Sequence, residues 1–307
     1  MIDGIPLIDA HIHAARLSTL KIEWNQWVMS KRVGTSPAEL YDERGILAPD
    51  RFARYLRDEG VDVGLLLAEY SPRVTGLQTA EDLLPLVKHE PGLIRFIANI
   101  NPHIHYPVVD ELERQLAMGA VALKVHPVHG GFPANLVELY PAYWLCQENH
   151  VPVVFHCGTS NFPGATNRFA DPVLIEDVAK DFPRLSIVLA HGGRGWWYDA
   201  AAFMTLMRDN VWIELSGLPP KRLPDYYSKF DLSRLARKFI FGTDWPGVPG
   251  INSNARAVAE LGFDRDTLES IFYRNALEVY RLEDVVGIAN APTGKGGSFD
   301  DSRSQLD

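Results

Sequence analysis

The fold prediction starts from PLIDAHIHAARL, residues 6–17, where an apolar run ends in two closely spaced histidines, His11 and His13. In a β-strand, residues i and i+2 point to the same face, so both imidazoles would project from one end of a strand. Two adjacent imidazoles repel each other when protonated, and a divalent metal ion is one partner that makes the pairing favourable. Chance is the alternative, because the chain has 10 histidines and the same spacing recurs at His103 and His105.

Further apolar runs follow along the whole chain, and most of them are nearly continuous and rich in β-branched residues. Strands that are buried on both faces of a parallel sheet have this composition. The predicted strands cover residues 6–13, 61–69, 94–102, 120–127, 151–158, 185–193, 211–217 and 239–246.

Helix-like segments separate these strands, and several begin with Pro or Asp and end at Gly or Asn, as helix caps do. Eight strands alternating with helices over about 280 residues predict an α/β protein with a (β/α)8 TIM barrel. A doubly wound open sheet is the competing architecture, although no G-x-G-x-x-G motif follows the first strand. The longer segment at residues 14–45 is interpreted as an excursion after strand 1, either over the barrel mouth or against a second subunit.

The bulk composition predicts an ordinary globular protein, with 46% hydrophobic and 22% charged residues among 307. We expect residues 1–282 to form one barrel domain and the polar residues 283–307 to form a flexible tail. The formal net charge of -9 argues against a general nucleic-acid-binding protein. The N-terminus does not resemble a signal peptide, and no apolar run is long enough to span a bilayer. These features predict a cytoplasmic protein that acts without membrane or nucleic-acid partners.

Polar residues suited to metal binding and proton transfer collect where the predicted strands end. They are His11 and His13 on the first strand, Lys124 and His126 on the fourth, His156 on the fifth, His191 on the sixth, Glu214 and Ser216 on the seventh, and Asp244 on the eighth. In a barrel of this kind the carboxyl ends of the strands meet at one mouth, where active sites lie. Histidine nitrogens and a carboxylate bind Zn2+ or a similar first-row ion.

The motifs DAHIH (9–13), ALKVHP (122–127), FHCG (155–158), AHGG (190–193), FGTDWP (241–246) and NALEVYRL (275–282) resemble the amidohydrolase superfamily. The resemblance is to the amidohydrolase-related branch (amidohydrolase 2), which also contains enzymes similar to aminocarboxymuconate-semialdehyde decarboxylase. It covers nearly the whole chain. It implies a metal-dependent enzyme with its site at the barrel mouth.

Carried over residue by residue, the resemblance implies that His11, His13, His156 and Asp244 are metal ligands. It also implies that Asp244 is the general base in a hydrolase. His191 would bind a second metal in a binuclear site, or activate water or substrate in a mononuclear one. We expect one divalent ion per chain, with Zn2+ as the first choice and Mn2+ or another first-row ion as alternatives.

Lys124 and three other residues are candidates for catalysis or substrate contact. Lys124 would be a carboxylated metal bridge in a binuclear site, or an ammonium that pairs with a substrate carboxylate or with Asp244. Arg194 could bind an anionic group of the substrate, His126 could line the pocket, and Trp196 could wall it or simply pack. His129 is interpreted as a helix-end or loop residue.

The leading functional hypothesis is a hydrolase of a small amide, lactone or related carbonyl compound. The second is a nonoxidative decarboxylase of an unsaturated or aromatic acid, which would use the same ligands. A barrel that binds a ligand without catalysis is the third, and the complete ligand set argues against it. The expected partner is a small, carboxylate-bearing substrate, and the sequence is compatible with a homo-oligomer.

Overall fold

The computed structural model describes residues 1–14, 16–30, 37–248 and 250–282 of the chain. The predicted tail at residues 283–307 lies outside the described residues, as does part of the predicted excursion at residues 14–45.

Eight of the strands form a single parallel sheet, and each matches one of the predicted apolar runs. The strands are β1 Ile8–Ile12, β2 Val63–Leu67, β3 Glu69–Ser71, β4 Gly76–Gln78, β5 Ile94–Ile100, β6 Leu123–Val125, β7 Val153–Gly158, β8 Ile187–Arg194, β9 Val211–Glu214 and β10 Phe239–Ile240. The order in the sheet is β1-β2-β5-β6-β7-β8-β9-β10, and all of its neighbouring pairs are parallel.

The first and last strands of this sheet meet and bring it close to a complete barrel. Ile12 forms a parallel bridge with Trp245, and the Asp244 amide donates to the carbonyl of His11 at 3.0 Å. The Ala10 amide donates to the carbonyl of Phe241 at 3.1 Å. The predicted (β/α)8 barrel is therefore confirmed.

Helices follow the strands, and most of them pack around the barrel, while α1 and α6 border its mouth. They are α1 Ile22–Ser30, α2 Pro37–Leu40, α3 Pro49–Asp58, α4 Ala80–His89, α5 Val108–Ala117, α6 Pro127–Gly130, α7 Tyr140–Glu148, α8 Pro172–Asp181, α9 Tyr198–Met207, α10 Leu223–Tyr226, α11 Leu232–Ala236, α12 Ile251–Ala259, α13 Arg265–Glu269 and α14 Asn275–Tyr280. Short 3-10 segments lie at Leu17–Thr19, Val137–Leu139, Asn167–Ala170 and Pro220–Arg222, with a π-turn at Ser270–Arg274.

The core is apolar because the barrel strands are buried on both faces. Every residue of β1, β2, β6 and β7 is buried, as expected for parallel strands packed between helices and the barrel interior. No helix in the described part of the chain is long and apolar enough to cross a membrane.

A small hairpin after β2 forms a separate two-stranded sheet, which the sequence did not predict. Strand β3 pairs antiparallel with β4, and Glu69 lies opposite Gln78 at its base. The predicted second strand ends at residue 69, because the residues after it favour a turn and the return strand has only three residues. The hairpin matters because it places the buried carboxylate of Glu69 at the mouth of the barrel.

Candidate metal centre

A pocket of about 630 Å³ opens at the carboxyl ends of the barrel strands. Its wall contains seven of the residues singled out from the sequence, namely His11, His13, His126, His156, His191, Arg194 and Asp244. Helix α1 contributes Trp24 and Trp27, and the loop after β7 contributes Phe162. The described part of the excursion after strand 1 therefore lies over the barrel mouth.

Three of the strand-end residues converge on one point at the base of this pocket. His11, His191 and Asp244 each present a ligand atom, and these atoms lie within 4.8 Å of one another. The Nε2 atom of His13 is 3.2 Å from Oδ1 of the same aspartate. These side chains come from β1, β8 and the segment after β10, so only barrel closure brings them together.

The carboxylate of Glu214 determines which nitrogen of His11 faces the pocket. Nδ1 of His11 is 2.9 and 3.0 Å from the two carboxylate oxygens, and both residues are buried. An ionised carboxylate only accepts hydrogen bonds, so Nδ1 carries the proton and Nε2 keeps a lone pair. That lone pair faces Oδ1 of Asp244 at 3.5 Å. A lone pair opposite an anion is an arrangement that a cation between them would stabilise.

The side chains of His156 and His191 also face each other through ring nitrogens. Nδ1 of His156 is 3.1 Å from Nε2 of His191. The outer nitrogens contact carbonyl oxygens, with Nε2 of His156 at 2.8 Å from Gly158 and Nδ1 of His191 at 2.9 Å from Ser216. Two neutral imidazoles carry only two N–H groups for these three contacts. If both carbonyls receive a proton, the facing nitrogens are two lone pairs directed at each other, as in a pair of metal ligands.

Burial keeps these imidazoles in the neutral form that metal ligands need. It lowers the pKa of His11, and lowers the pKa values of His156 and His191 well below their usual range. Burial alone would raise the pKa of Asp244, but the hydrogen bond from His13 and the nearby positive groups outweigh it and lower that pKa. Neutral imidazoles beside a carboxylate are donors that fit a divalent first-row ion, and His13 adds a further imidazole next to Asp244.

The backbone at two site residues adopts a conformation that side chains rarely tolerate. His191 has φ 69° and Asp244 has φ 66°. Non-glycine residues in this region carry strain of about 1–3 kcal/mol, and such strain concentrates at functional sites. Near His191 the β7–β8 register also shifts between His156 and Gly158, as at a β-bulge. These irregularities turn the two side chains towards the pocket.

Gly217 allows Arg194 and Asp244 to approach each other beside the centre. Nη1 of Arg194 is 3.7 Å from Oδ2 of Asp244. A Cβ on Gly217 would lie 2.2 Å from that Nη1 and 2.9 Å from that Oδ2, and its φ of +63° favours glycine. Arg194 is held further by donating to the carbonyl of Thr159 at 3.0 Å. The guanidinium therefore faces the pocket as a cation beside the aspartate.

The remaining predicted residues, Lys124, His126 and Trp196, differ in their position relative to the pocket. Lys124 is buried below the pocket, and its ammonium has no hydrogen-bond partner among the described residues. Burial lowers its pKa. His126 is in the pocket wall, stacked on His156 with ring centroids 4.0 Å apart. Trp196 is 68% exposed and does not line this pocket.

The pocket also contains polar residues to which the sequence analysis gave no role. They include Glu69, His129 and Ser160. Glu214 lies behind His11, outside the pocket lining. Glu214 lies at the end of a predicted strand, and that position is the sequence signal for its place in the site. Glu69 is the last residue of the predicted second strand, and that position is an available signal. His129 lies in the four-residue helix α6, for which the sequence carries no periodic signal.

Comparison with solved structures confirms the architecture. A TIM-barrel protein from Bordetella bronchiseptica, described as uncharacterised, has a TM-score of 0.76 at 19% identity and covers 91% of this chain and 100% of its own. A probable 2-pyrone-4,6-dicarboxylic acid hydrolase from Acinetobacter baumannii, with citric acid bound, has a TM-score of 0.62 at 18% identity, covering 90% and 100%. A 2,6-dihydroxybenzoate decarboxylase complexed with 2,6-dihydroxybenzoate has a TM-score of 0.65 at 17% identity, covering 92% and 100%.

The family assignment comes from the sequence as a whole. The sequence matches no curated protein. The model of the family described as Amidohydrolase matches residues 8–282, which include every barrel strand and every predicted site residue. This match confirms the resemblance carried by the strand-end motifs. The chain belongs to the amidohydrolase family.

Proposed function

We propose that this protein is a metal-dependent hydrolase of a small amide, lactone or related carbonyl compound that bears a carboxylate. The observation that carries the proposal is the convergence of imidazoles on Asp244 at the base of the pocket. Ligand atoms of His11, His191 and Asp244 lie within 4.8 Å of one another, and Nε2 of His13 is 3.2 Å from Oδ1 of Asp244. The second support is the short contact between the facing nitrogens of His156 and His191, together with Nε2 of His11 facing the Asp244 carboxylate.

The proposed ligands of one divalent ion are His11, His13, His156 and Asp244. A bound ion of this kind polarises a carbonyl group and lowers the pKa of a water molecule towards about 7. Zn2+ is our first choice and Mn2+ the alternative, since both accept nitrogen and oxygen ligands. His191 belongs to the converging group of ligand atoms and His13 contacts Asp244, so the metal content of single variants decides between them.

The residues around the centre have separate proposed roles. Asp244 accepts a proton from the attacking water, because one of its oxygens faces the imidazoles and the other faces the pocket and Arg194. The proton taken by Asp244 is then passed to the leaving group, and His191 assists this transfer. Arg194 binds the carboxylate of the substrate as a charge-assisted pair. We assign Lys124 as an ammonium below the site, because Glu214 and Asp244 oppose the lowering of its pKa by burial.

A nonoxidative decarboxylase of an unsaturated or aromatic acid is the second candidate. The pocket mouth is lined by Trp24, Trp27 and Phe162. The ring centroids of Trp24 and Trp27 are 5.7 Å apart, and those of Trp27 and Phe162 are 5.8 Å apart. Such a wall suits a planar aromatic acid, and Arg194 suits its carboxylate. The structurally similar 2,6-dihydroxybenzoate decarboxylase acts on a substrate of this class.

The test begins with the metal content of chelator-free protein, measured by mass spectrometry per chain. We expect about one ion per chain, retained in His150→Asn and lost in His11→Ala. His150 is the matched control because it is exposed, lies outside the pocket and has a φ of 54° that asparagine tolerates. His191→Asn should keep most of the metal but lose turnover, and His13→Asn should lose metal. The reverse result would exchange their roles.

Products then distinguish the two chemistries. A panel of carboxylate-bearing lactones, amides and aromatic acids is incubated with metal-loaded enzyme, and acid release and CO2 are measured together. Acid release without CO2 supports the hydrolase, whereas stoichiometric CO2 supports the decarboxylase. Absence of metal from the wild-type protein, or turnover that survives His11→Ala, would contradict both.

A further inference from the structure

A line of hydrogen-bonded side chains runs along the wall of the same pocket, apart from the proposed metal ligands. Oγ of Ser160 is 2.8 Å from Nε2 of His129, and Nδ1 of His129 is 3.4 Å from Oε1 of Glu69. The hydroxyl of Thr75 donates to the same oxygen of Glu69 at 2.7 Å. Ser160, His129 and Glu69 are all less than one-tenth exposed, and all line the pocket.

The direction of these hydrogen bonds follows from the chemistry of the groups. An ionised Glu69 only accepts, so Nδ1 of His129 donates to it and carries the ring proton. Nε2 of the neutral ring then holds a lone pair and accepts, so the Ser160 hydroxyl must donate to it. The result is a hydroxyl bonded to a base that is oriented by a carboxylate, which is the arrangement that activates a serine nucleophile.

A metal site is the alternative use of these residues, because Glu69, His126 and His129 have ligand atoms within 4.8 Å of one another. Two observations argue against it. The rings of His126 and His129 are stacked, with centroids 3.8 Å apart and planes inclined by 14°, so their in-plane lone pairs do not converge on one ion. Nδ1 of His126 also accepts the His129 amide at 3.3 Å, which leaves the ring proton on Nε2.

We propose that Ser160 is a nucleophile for acyl transfer from small carboxylic esters, independent of the metal centre, with His129 as its base. Glu69 is a positioning residue, because it contacts the base and not the reacting atoms. The Phe162 amide donates to Oγ of Ser160 at 3.3 Å and helps to hold that hydroxyl in position.

In the proposed step the serine oxygen replaces the alcohol of the ester. Oγ of Ser160 bonds to the carbonyl carbon, and the bond from that carbon to the alcohol oxygen breaks. The proton of the hydroxyl passes to Nε2 of His129 and then to the departing alkoxide. Water then cleaves the acyl-serine and restores the free hydroxyl, with His129 carrying the proton again.

The test uses full-length protein stripped of metal with a chelator, so that the proposed hydrolase chemistry does not contribute. The protein is incubated with phenylmethanesulfonyl fluoride, which forms a sulfonate ester on an activated serine and releases fluoride. Intact-mass measurement and peptide mapping follow the adduct. We expect one adduct per chain, located on Ser160, and none in Ser160→Ala.

Variants separate the proposed roles. His129→Gln should slow labelling by about 100-fold or more, as expected for loss of a base, and Glu69→Gln should slow it to a smaller extent. Thr159→Ala is the matched control, because Thr159 is an adjacent hydroxyl residue in the same pocket wall and should leave the labelling rate unchanged. Circular dichroism and the metal content of reloaded variants show that each remains folded.

Absence of an adduct on wild-type Ser160, or an unchanged rate in folded His129→Gln, would overturn the proposal. A second bound ion that Glu69→Gln removes would overturn it in favour of the metal site. Because labelling is measured without metal, these outcomes are independent of whether the first centre hydrolyses a substrate.

Discussion

Each imidazole at the base of the pocket is oriented by a polar group behind it. Glu214 receives the proton of His11, the carbonyl of Ser216 contacts His191, and the carbonyl of Gly158 contacts His156. Such groups set the tautomer and direction of a metal ligand, and their loss weakens binding even though they do not touch the ion. The residue behind His11 is the most informative one to change, because its side chain is a buried carboxylate.

Glu214→Gln should lower the affinity for the metal by about 10- to 100-fold, since the amide keeps the shape of the side chain but removes its charge. Competition with a chromogenic chelator measures this affinity directly. His150→Asn serves again as the control. An unchanged affinity would show that His11 does not depend on Glu214 for its orientation.

Gly217 is the second informative position at the residue scale. Gly217→Ala should destabilise the fold by roughly 1 kcal/mol or more through its positive φ. It should also reduce turnover, because its Cβ collides with Arg194 and Asp244. Unfolding in urea and steady-state assays measure the two effects.

Gly262→Ala separates backbone strain from collision at Gly217. Gly262 has a φ of +84°, but a Cβ there would meet nothing within 4 Å. Gly262→Ala should therefore lower the free energy of unfolding without changing turnover. Equal effects of the two substitutions on turnover would refute the role of the close approach at Gly217.

At the scale of elements, the seam between the first and last strands depends on one buried carboxyl group. Asp9 on β1 accepts the Thr243 amide at 3.0 Å and contacts the Thr243 hydroxyl at 2.6 Å. Burial raises the pKa of Asp9 to about 7, although these hydrogen bonds oppose the shift. The segment after β10 that carries Asp244 is therefore held to β1 one residue away from the proposed ligand.

The titration of Asp9 predicts a pH-dependent stability of the metal-free protein. Between its unfolded pKa of about 4 and its folded pKa of about 7, the folded state holds one more proton than the unfolded state. This proton makes the free energy of unfolding fall as pH rises, by up to about 1.4 kcal/mol per pH unit.

Asp9→Asn removes this titrating group. The difference in free energy of unfolding between the variant and wild type should therefore change with pH below about pH 7 and be constant above it. Urea unfolding of both proteins between pH 4.5 and 8 would measure the difference. A constant difference across the whole range would contradict the shifted pKa.

At the scale of the whole molecule, the proposed centre links residues from both ends of the chain. His11 lies on the first strand and Asp244 follows the last, so an ion bound between them stabilises only the closed barrel. A ligand that binds only the folded state adds about 2.7 kcal/mol at a concentration 100 times its dissociation constant.

Thermal unfolding should therefore shift upwards with added Zn2+ in chelator-stripped wild-type protein, and downwards again with excess chelator. The midpoint of His11→Ala should not respond to the ion. A similar response in both proteins would mean that the ion acts elsewhere on the chain.

The sequence alone determined the barrel and its strand-end residues, because both depend on local patterns. Continuous apolar runs predict buried parallel strands, and the ends of such strands meet at one mouth whatever the details of packing. His11, His191 and Asp244 were therefore predictable members of one site, and the family match to residues 8–282 agrees with that prediction.

Only the tertiary structure revealed the contacts that depend on long-range packing. Glu69, His129 and Ser160 lie in a hairpin, a four-residue helix and a loop, and none of these elements has a periodic pattern. The hydrogen bond between His129 and Glu69 spans 60 residues of sequence, and the one between Ser160 and His129 spans 31. The proton positions on His11 and His191 likewise depend on Glu214 and Ser216, more than 20 residues away. A tautomer is set by the group that folding places beside the ring, and sequence spacing does not encode that neighbour.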